Sequence, residues 1–426
     1  MKSRLFSGRA LAGLGMACVV ALSSPVILQA VVGSAAYADD EAKPGTVSPE
    51  VGKPLQAAKA AMDARKWGEA MAKLKEADSQ AKKSPYEQGL IEQMRLIAAV
   101  SSDEPATAAK AYDYLSQNGG LQSNQKTLFA QAIAGSYMKA KDLGSAAVWY
   151  SRYFQAGGTD LATRTALAQA YYFNNDFGNA QKATQQAIEA YSAAGQTPSE
   201  DTFKLLASCA LKQNDKKSYA AALEQMVNYY PKPDYWADLV HQVSSKPGFP
   251  DSRLGIDIYR LEAAVNALTK TSDYMEYAEL AIQAGLPAEA KNVVDQGYKA
   301  GVLGQGGEAE RHGRLRDMAK RQLDTDQPNL ANAETEAGKQ PNGQALVNMG
   351  LDLYGYGQYD RAINAIKAGI AKGGLKNPDD ATLHLGIVQL ASGKKADAVA
   401  TLKSIKSGDA ANDLARLWLI KANSRA

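Results

Sequence analysis

Cysteine is almost absent: the 426 residues contain two, Cys18 and Cys209. If Cys18 departs with an amino-terminal leader, no intramolecular disulfide can form and packing alone must hold the fold. Histidine is nearly as scarce, and His241, His312 and His384 lie far apart with no two of them a helical turn from each other. A metal site needs several converging ligands, so neither a metal nor another cofactor is expected. Gly304-Gln305-Gly306-Gly307 is glycine-rich, yet it follows no strand pattern and lacks the Gly-Lys-Ser/Thr ending of a phosphate cradle. It reads as a turn.

Charge of one sign is missing as well. Lys2, Arg4 and Arg9 are three of the 48 basic residues, and no acid precedes Asp39, so the remaining chain carries 45 charges of each sign. The formal excess of +3 therefore belongs to the leader, and no basic face for nucleic acid or anionic lipid is implied. Long apolar runs are confined to the same place. Residues 1–38 have the form of an export signal: a basic start, an apolar stretch Ala10 to Leu22, and Ala36-Tyr37-Ala38 as a small-x-small cleavage site before Asp39. Ser23, Ser24, Pro25 and Gly33 interrupt the apolar run where an uncleaved anchor would continue. Gly15-Met16-Ala17 before Cys18 lacks the leucine usual in a lipoprotein signal. The expectation is a cleaved leader, no membrane span after cleavage, and a periplasmic protein of the Gram-negative type.

What remains is helix. Residues 39–50, with Pro44, Gly45 and Pro49, form a polar lead-in. From Val51 onward, helical patterns about a dozen residues long alternate with short breaks, and no stretch alternates with the two-residue period of a strand. The fold class expected is all-α. The clearest unit spans Leu161 to Ala194, where Leu167, Ala168, Tyr171, Phe177, Ala180 and Ala187 fall at the spacings of a 34-residue helix-pair repeat. Trp67, Ala70, Leu74 and Ala77 mark an earlier second helix; Ala108, Tyr112 and Leu115, and Leu143, Ala146, Tyr150 and Tyr153, mark two more. A fifth unit runs from Thr202 to Pro231, a sixth is stretched by a loop at Ser244 to Asp251, and a seventh turns at Gly285-Leu286-Pro287. Residues 51–303 thus read as one array. Residues 304–342 break the rhythm and read either as a linker or as a divergent helix pair, with helix favoured over Glu308 to Leu323. Residues 343–426 restore the pattern, ending in a terminal helix around Leu414, Leu417 and Trp418 that caps the last unit.

On these residues the chain resembles the tetratricopeptide-repeat (TPR) superfamily, in its exported form, over roughly Val51 to Ser424. The resemblance implies an α-solenoid of stacked antiparallel helix pairs in a right-handed superhelix, whose first helices line a groove for a protein or peptide. It departs from the chaperone-binding members: Lys204 stands at the fifth place of a first helix, but Ser208 rather than asparagine holds the ninth. An exported repeat protein of this kind resembles the helpers of envelope machines for assembly, energised transport, secretion or cell-wall synthesis. The function expected is a non-catalytic scaffold or adaptor for such a partner; the alternative is a helical-scaffold enzyme of cell-wall or polysaccharide metabolism, and end-to-end self-assembly is a third reading.

Tyrosine is plentiful, 21 against 7 phenylalanines. Tyr172 and Phe173, and Tyr354, fall at places of first helices that face the groove in the family, and aromatic side chains give large contact area at modest entropic cost. With Gln131, Lys139, Thr165 and Gln169 they form the expected partner-binding set. Cys209 reads as packing, His312 as part of an exposed charged segment, and no catalytic residue is expected.

Overall fold

The computed structural model describes residues 46–406 and 408–424. The expected export signal, Cys18 and most of the lead-in lie outside the described residues. Every element among the described residues is helical, and the chain divides into two compact units, at Asp215/Lys216. This division falls between the two helices of the fifth expected repeat.

The amino-terminal unit contains α1 (Pro49–Asp63), α2 (Trp67–Asp78), α3 (Pro85–Ser101), α4 (Pro105–Gln117), α5 (Ser123–Lys139), α6 (Leu143–Gln155), α7 (Leu161–Phe173), α8 (Phe177–Ala193) and α9 (Glu200–Lys212). One turn is used again and again inside the pairs. Arg65, Asp103, Lys141, Asn175 and Asn214 each take a left-handed conformation, φ 57, 55, 59, 61 and 57°, at intervals of roughly 34 to 39 residues. The next amide then bonds back across six residues, as Lys66 N–H does to Ala61 O (2.8 Å), Asp142 to Tyr137 (3.0 Å) and Asp176 to Tyr171 (2.9 Å). This is the Schellman closure, which satisfies carbonyls left over at a helix end. Asp142 and Asp176 then cap the following helix by accepting from Ser145 N and Asn179 N. One three-residue turn thereby ends one helix and starts its antiparallel partner.

Alanines make the pairs close. Ala70, Ala108, Ala146 and Ala180 of the second helices are fully buried, with Leu74, Tyr112 and Tyr150 a turn later on the same face. First helices also pack on one another: α1 on α3, α3 on α5, and α7 on α9. Polar links tie neighbouring pairs. Gln131 Nε2 donates to Thr163 Oγ1 (2.6 Å), Ser136 Oγ to Asp103 Oδ1 (3.1 Å), and Gln213 Nε2 to Phe177 O (3.3 Å).

The second unit comprises α10 (Lys216–Tyr229), α11 (Pro233–Ser244), α12 (Asp251–Ala264), α13 (Thr271–Gln283), α14 (Pro287–Lys299), α15 (Ala309–Asp326), a 3-10 turn (Gln327–Asn329), α16 (Leu330–Lys339), α17 (Gln344–Gly355), α18 (Tyr359–Lys372), α19 (Pro378–Ala391), α20 (Lys395–Ser404) and α21 (Ala410–Asn423). Residues 309–339, expected to hold helix only in their first half, are helical almost throughout. His312 is 3% exposed and its Nδ1 accepts from Gly304 N–H at 3.1 Å, so it is a packed residue rather than part of an exposed segment. Leu315 and Ala319, a turn apart on the same side, bury the rest of that face.

The unit closes on itself. Helix α21 covers α19 and α20, as expected of a cap, but its other side packs on α10, α11 and α12. Ion pairs fasten this return: Lys246 to Asp413 (2.6 Å), Arg416 to Glu224 (3.0 Å), and Arg253 to Asp380. A terminal helix read from its own sequence shows one apolar stripe. Leu414 and Leu417, both fully buried, and Trp418, 3% exposed, serve contacts on more than one side.

Candidate functional site

The expected binding set divides when its side chains are placed. In the amino-terminal unit Gln131 and Thr165 are half-buried, Gln131 through its bond to Thr163. Thr165 Oγ1 bonds its own helix at Leu161 O (3.5 Å), and Gln169 is half-buried on the same helix. Lys139 is exposed and grips both oxygens of Asp103 at 3.0 and 3.1 Å. Phe173 is 37% exposed. Tyr172 is not at the surface: it is 8% exposed, and its hydroxyl meets Ser208 Oγ at 2.7 Å inside the packing of α7 against α9. A first helix in such an array is covered on two sides, by its partner and by neighbouring first helices. Ala168 and Tyr172 form the second buried stripe, which a single-face reading assigns to the surface. Replacing Tyr172 by Phe should cost about 1 kcal/mol of stability, the worth of one buried hydrogen bond, and leave partner capture intact. Urea unfolding of wild type and variant checks the first part and co-purification the second.

Tyr354 lies elsewhere, on the wall of a cleft of about 570 Å³ in the second unit, a volume suited to a small ligand or a few residues of a chain. Helix α12 supplies Arg260, α13 Tyr277, α14 Glu289 and Asn292, and the α17–α18 turn region Tyr354, Tyr356 and Tyr359. Gly355 is the reason two helix ends can meet there. A Cβ at this position would stand 2.8 Å from the Glu289 nitrogen, and the Gly355 carbonyl accepts from Asn292 Nδ2 at 2.8 Å.

Behind the wall is a buried ionic chain. Arg260, whose side chain has no exposure, donates from Nε and Nη2 to the two oxygens of Glu289 (both 2.7 Å) and from Nη1 to Asp257 Oδ1 (2.8 Å). Tyr277 OH donates to Glu289 Oε1 (2.7 Å), and His384 Nε2 stands 3.1 Å from Asp257 Oδ2. Burial works to raise the Asp257 carboxyl, but His384 and Arg260 overcome it and hold it at about 2. Burial and the Glu289 charge push the phenols of Tyr277 and Tyr354 up, so both remain hydrogen-bond donors at any physiological pH.

Two further carboxyl groups, Asp326 and Asp352, stand close in sequence to cleft residues without lining the cleft themselves. Asp326 accepts from Tyr356 OH at 2.6 Å, and its charge acts on Asp352. Asp352 is 9% exposed and its Oδ1 has no partner. Burial, then the Asp326 charge, hold Asp352 up at about 7. Burial also raises the Tyr356 phenol, and its bond to Asp326 adds to this.

None of Asp257, Arg260, Glu289, Asp326 and Asp352 was singled out from the sequence. The available signal was in α12: Asp257 falls three residues after Leu254, and Arg260 two after Ile258, inside a stripe whose apolar members are buried. Charged residues inside an apolar stripe announce buried partners, but those partners come from α14 and α19. Chemically, the cleft offers phenol donors, aromatic faces and amides. Among the described residues no group of three or more His, Cys, Asp and Glu could hold a metal. Cys209 is buried, and burial raises its thiol to about 12, which leaves it a packing group.

No protein-family model matches the sequence, and no curated protein matches it. Solved structures that it resembles include the TPR2AB domain of yeast Sti1 in its pHSP90 complex, at 13% identity and a TM-score of 0.24, covering 70% of this chain and 98% of that one. Others are the P58(IPK) TPR domain (13%, TM-score 0.20, 81% and 98%) and the APC/C hetero-tetramer Cut9-Hcn1 (13%, TM-score 0.23, 87% and 55%). The chain spans little more than half of the Cut9-Hcn1 chain. At these scores the likenesses carry no argument; the TPR-like character rests on the helix pairs and turns of the chain itself.

Proposed function

We propose that this chain is a non-catalytic, exported adaptor that holds a protein or peptide partner of an envelope machine, whether for assembly, energised transport, secretion or cell-wall synthesis. The observation that carries the reading is the run of first helices packed side by side, with α5 and α7 joined through Gln131 and Thr163. Such a run presents half-buried amides and an exposed ring, Gln131, Gln169 and Phe173, on a rigid backbone, and rigid polar and aromatic surfaces bind chains at low entropic cost. The leader read in the sequence supports the periplasmic setting.

The alternative is a helical-scaffold enzyme of cell-wall or polysaccharide metabolism. The test is crosslinking in cells, with tagged protein recovered from the periplasm and identified by mass spectrometry. One dominant envelope protein is expected, reduced about tenfold by combined Gln169→Ala and Phe173→Ala, the scale of a single hot spot. Recovery of glycan fragments in place of a polypeptide, with their turnover by the purified chain, would overturn the reading.

A further inference from the structure

We propose that Asn118 is a site of spontaneous covalent modification, an asparagine that cyclises onto the Gly119 nitrogen and opens to aspartate and isoaspartate, while the chemically identical step at Asn342–Gly343 is held unreactive by the fold. Asn-Gly occurs in the chain at these two places. Side-chain chemistry alone gives both the same fate, and their surroundings separate them.

The reaction is an attack of main-chain nitrogen on a side-chain amide. The Gly119 nitrogen bonds to Asn118 Cγ and its proton passes to solvent base. The Cγ–Nδ2 bond breaks, and ammonia leaves with a proton from water. A water molecule then opens the five-membered imide at one or other carbonyl. Glycine after the asparagine favours the step because no Cβ hinders the ring. The fold decides whether the attacking nitrogen is free and whether the backbone has room to turn.

At Asn118 both conditions hold. This exposed residue ends α4, and Gly119 follows with φ 72°, a left-handed position that helix ends give to glycine. In the equivalent turns after α6 and α8, the amides of Gly157 and Gly195 donate to Phe154 O and Ser192 O, both at 3.0 Å. Here Asn118 N–H takes Tyr114 O (3.1 Å) and Gly120 N–H takes Leu115 O (2.8 Å), and among the described residues no acceptor meets the Gly119 amide. A Cβ on Gly119 would meet nothing within 4 Å. The Asn118 side chain is held by one bond, Nδ2 to Tyr114 O (2.8 Å).

At Asn342 neither condition holds. Gly343 is buried, and its amide donates to Gly373 O at 2.8 Å. Asn342 Oδ1 accepts from Gln344 N at 3.1 Å. Gly374 stands so close that a Cβ on it would lie 2.9 Å from the Asn342 Cβ. Ring closure there waits for this corner to open, and the rate scales with the fraction of time that it is open.

The product at Asn118 changes the junction it occupies. A carboxylate replaces the Nδ2 donor at the negative end of α4, beside the Tyr114 carbonyl, where an anion is unfavourable. Isoaspartate also adds a carbon to the main chain just before Leu121, which is 8% exposed. Ageing therefore loosens the join between α4 and α5.

The test is incubation of the purified chain at mildly alkaline pH and body temperature, native and in concentrated urea. Tryptic peptides 111–126 and 340–361 are followed by fragmentation mass spectrometry, and isoaspartate is identified by enzymatic methylation of its carboxylate. In the native chain Asn118 should react at least about tenfold faster than Asn342, whose amide must first leave its hydrogen bond and packing. In urea the two rates should converge. Asn118→Ser should abolish the change in the first peptide and leave the second as it was. Equal native rates, a faster reaction at Asn342, or an Asn118 that stays intact while the urea-unfolded chain reacts would overturn the proposal. So would a difference that persists undiminished in urea, because neighbouring residues rather than the fold would then set it.

Discussion

Arg260→Met will destabilise the second unit by about 3–5 kcal/mol, because it leaves Glu289 and Asp257 buried without their charge partner. Both carboxylates are at most 4% exposed, so water cannot take over the role of the guanidinium. The cost is a property of the broken set, not of charge as such: adding Glu289→Gln and Asp257→Asn to Arg260→Met should recover much of the loss, since a neutral group needs no counterion. The pH dependence has a definite sign. Asp257 is held at about 2, below its unfolded value of about 3.9, so its contribution is present above that unfolded value and is lost as pH falls toward 2. Without Arg260 the Asp257 carboxyl, which that guanidinium helps to hold down, takes up its proton at higher pH, and the deficit of the variant must shrink as the solution is acidified from neutrality. Urea titrations of the whole chain at several pH values provide the measurement. A deficit that is constant with pH, or a triple variant as unstable as the single one, would refute the account.

Gly343→Ala is the second large effect, at about 3 kcal/mol or more. Helices α17 and α18 cross so closely at their glycines that a Cβ on Gly343 would lie 1.8 Å from the carbonyl oxygen of Gly369, and one on Gly369 would lie 2.6 Å from the Gly343 oxygen. The obstacle is backbone in both directions, so no rotamer change relieves it. The Gly343 amide also donates to Gly373 O at 2.8 Å, and a shift that avoids the clash strains this bond. Gly338→Ala in α16 is the matched control, since a Cβ there meets nothing within 4 Å; it should stabilise by roughly 0.5–1 kcal/mol through helix propensity. Thermal unfolding of the two variants side by side separates close packing from propensity. Equal effects would show that the crossing relaxes freely.

The second helices were legible because each buries one stripe, and Ala70, Leu74, Ala108, Tyr112, Ala146 and Tyr150 spell that stripe at steps of four. First helices were less so, since two of their faces are covered and the register of Tyr171 against Tyr172 is decided by a neighbour, Ser208, 36 residues away. Tyr354 was placed at a binding surface from the repeat pattern, and the structure puts it on the cleft wall, but nothing in that pattern announced Arg260 or Asp352 beside it. Ionic partners drawn from three helices, α12, α14 and α19, leave no local signature. The docking of α21 on α10–α12 was invisible for the same reason.

The two units differ in what their assembly asks of the chain in time. In the amino-terminal unit the polar links between pairs join residues 14 to 39 positions apart, a separation at which ring closure is quick and each pair can add to the one before it. The second unit is finished by contacts 127 and 167 positions apart, His384 to Asp257 and Lys246 to Asp413. Its contact order is correspondingly high, and the entropy of bringing such remote segments together must be met before their contacts return anything. Until α21 arrives, the sides of α10, α11 and α12 that it covers stand open to water, so folding of this unit is gated by its last helix while the other half of the molecule is already native.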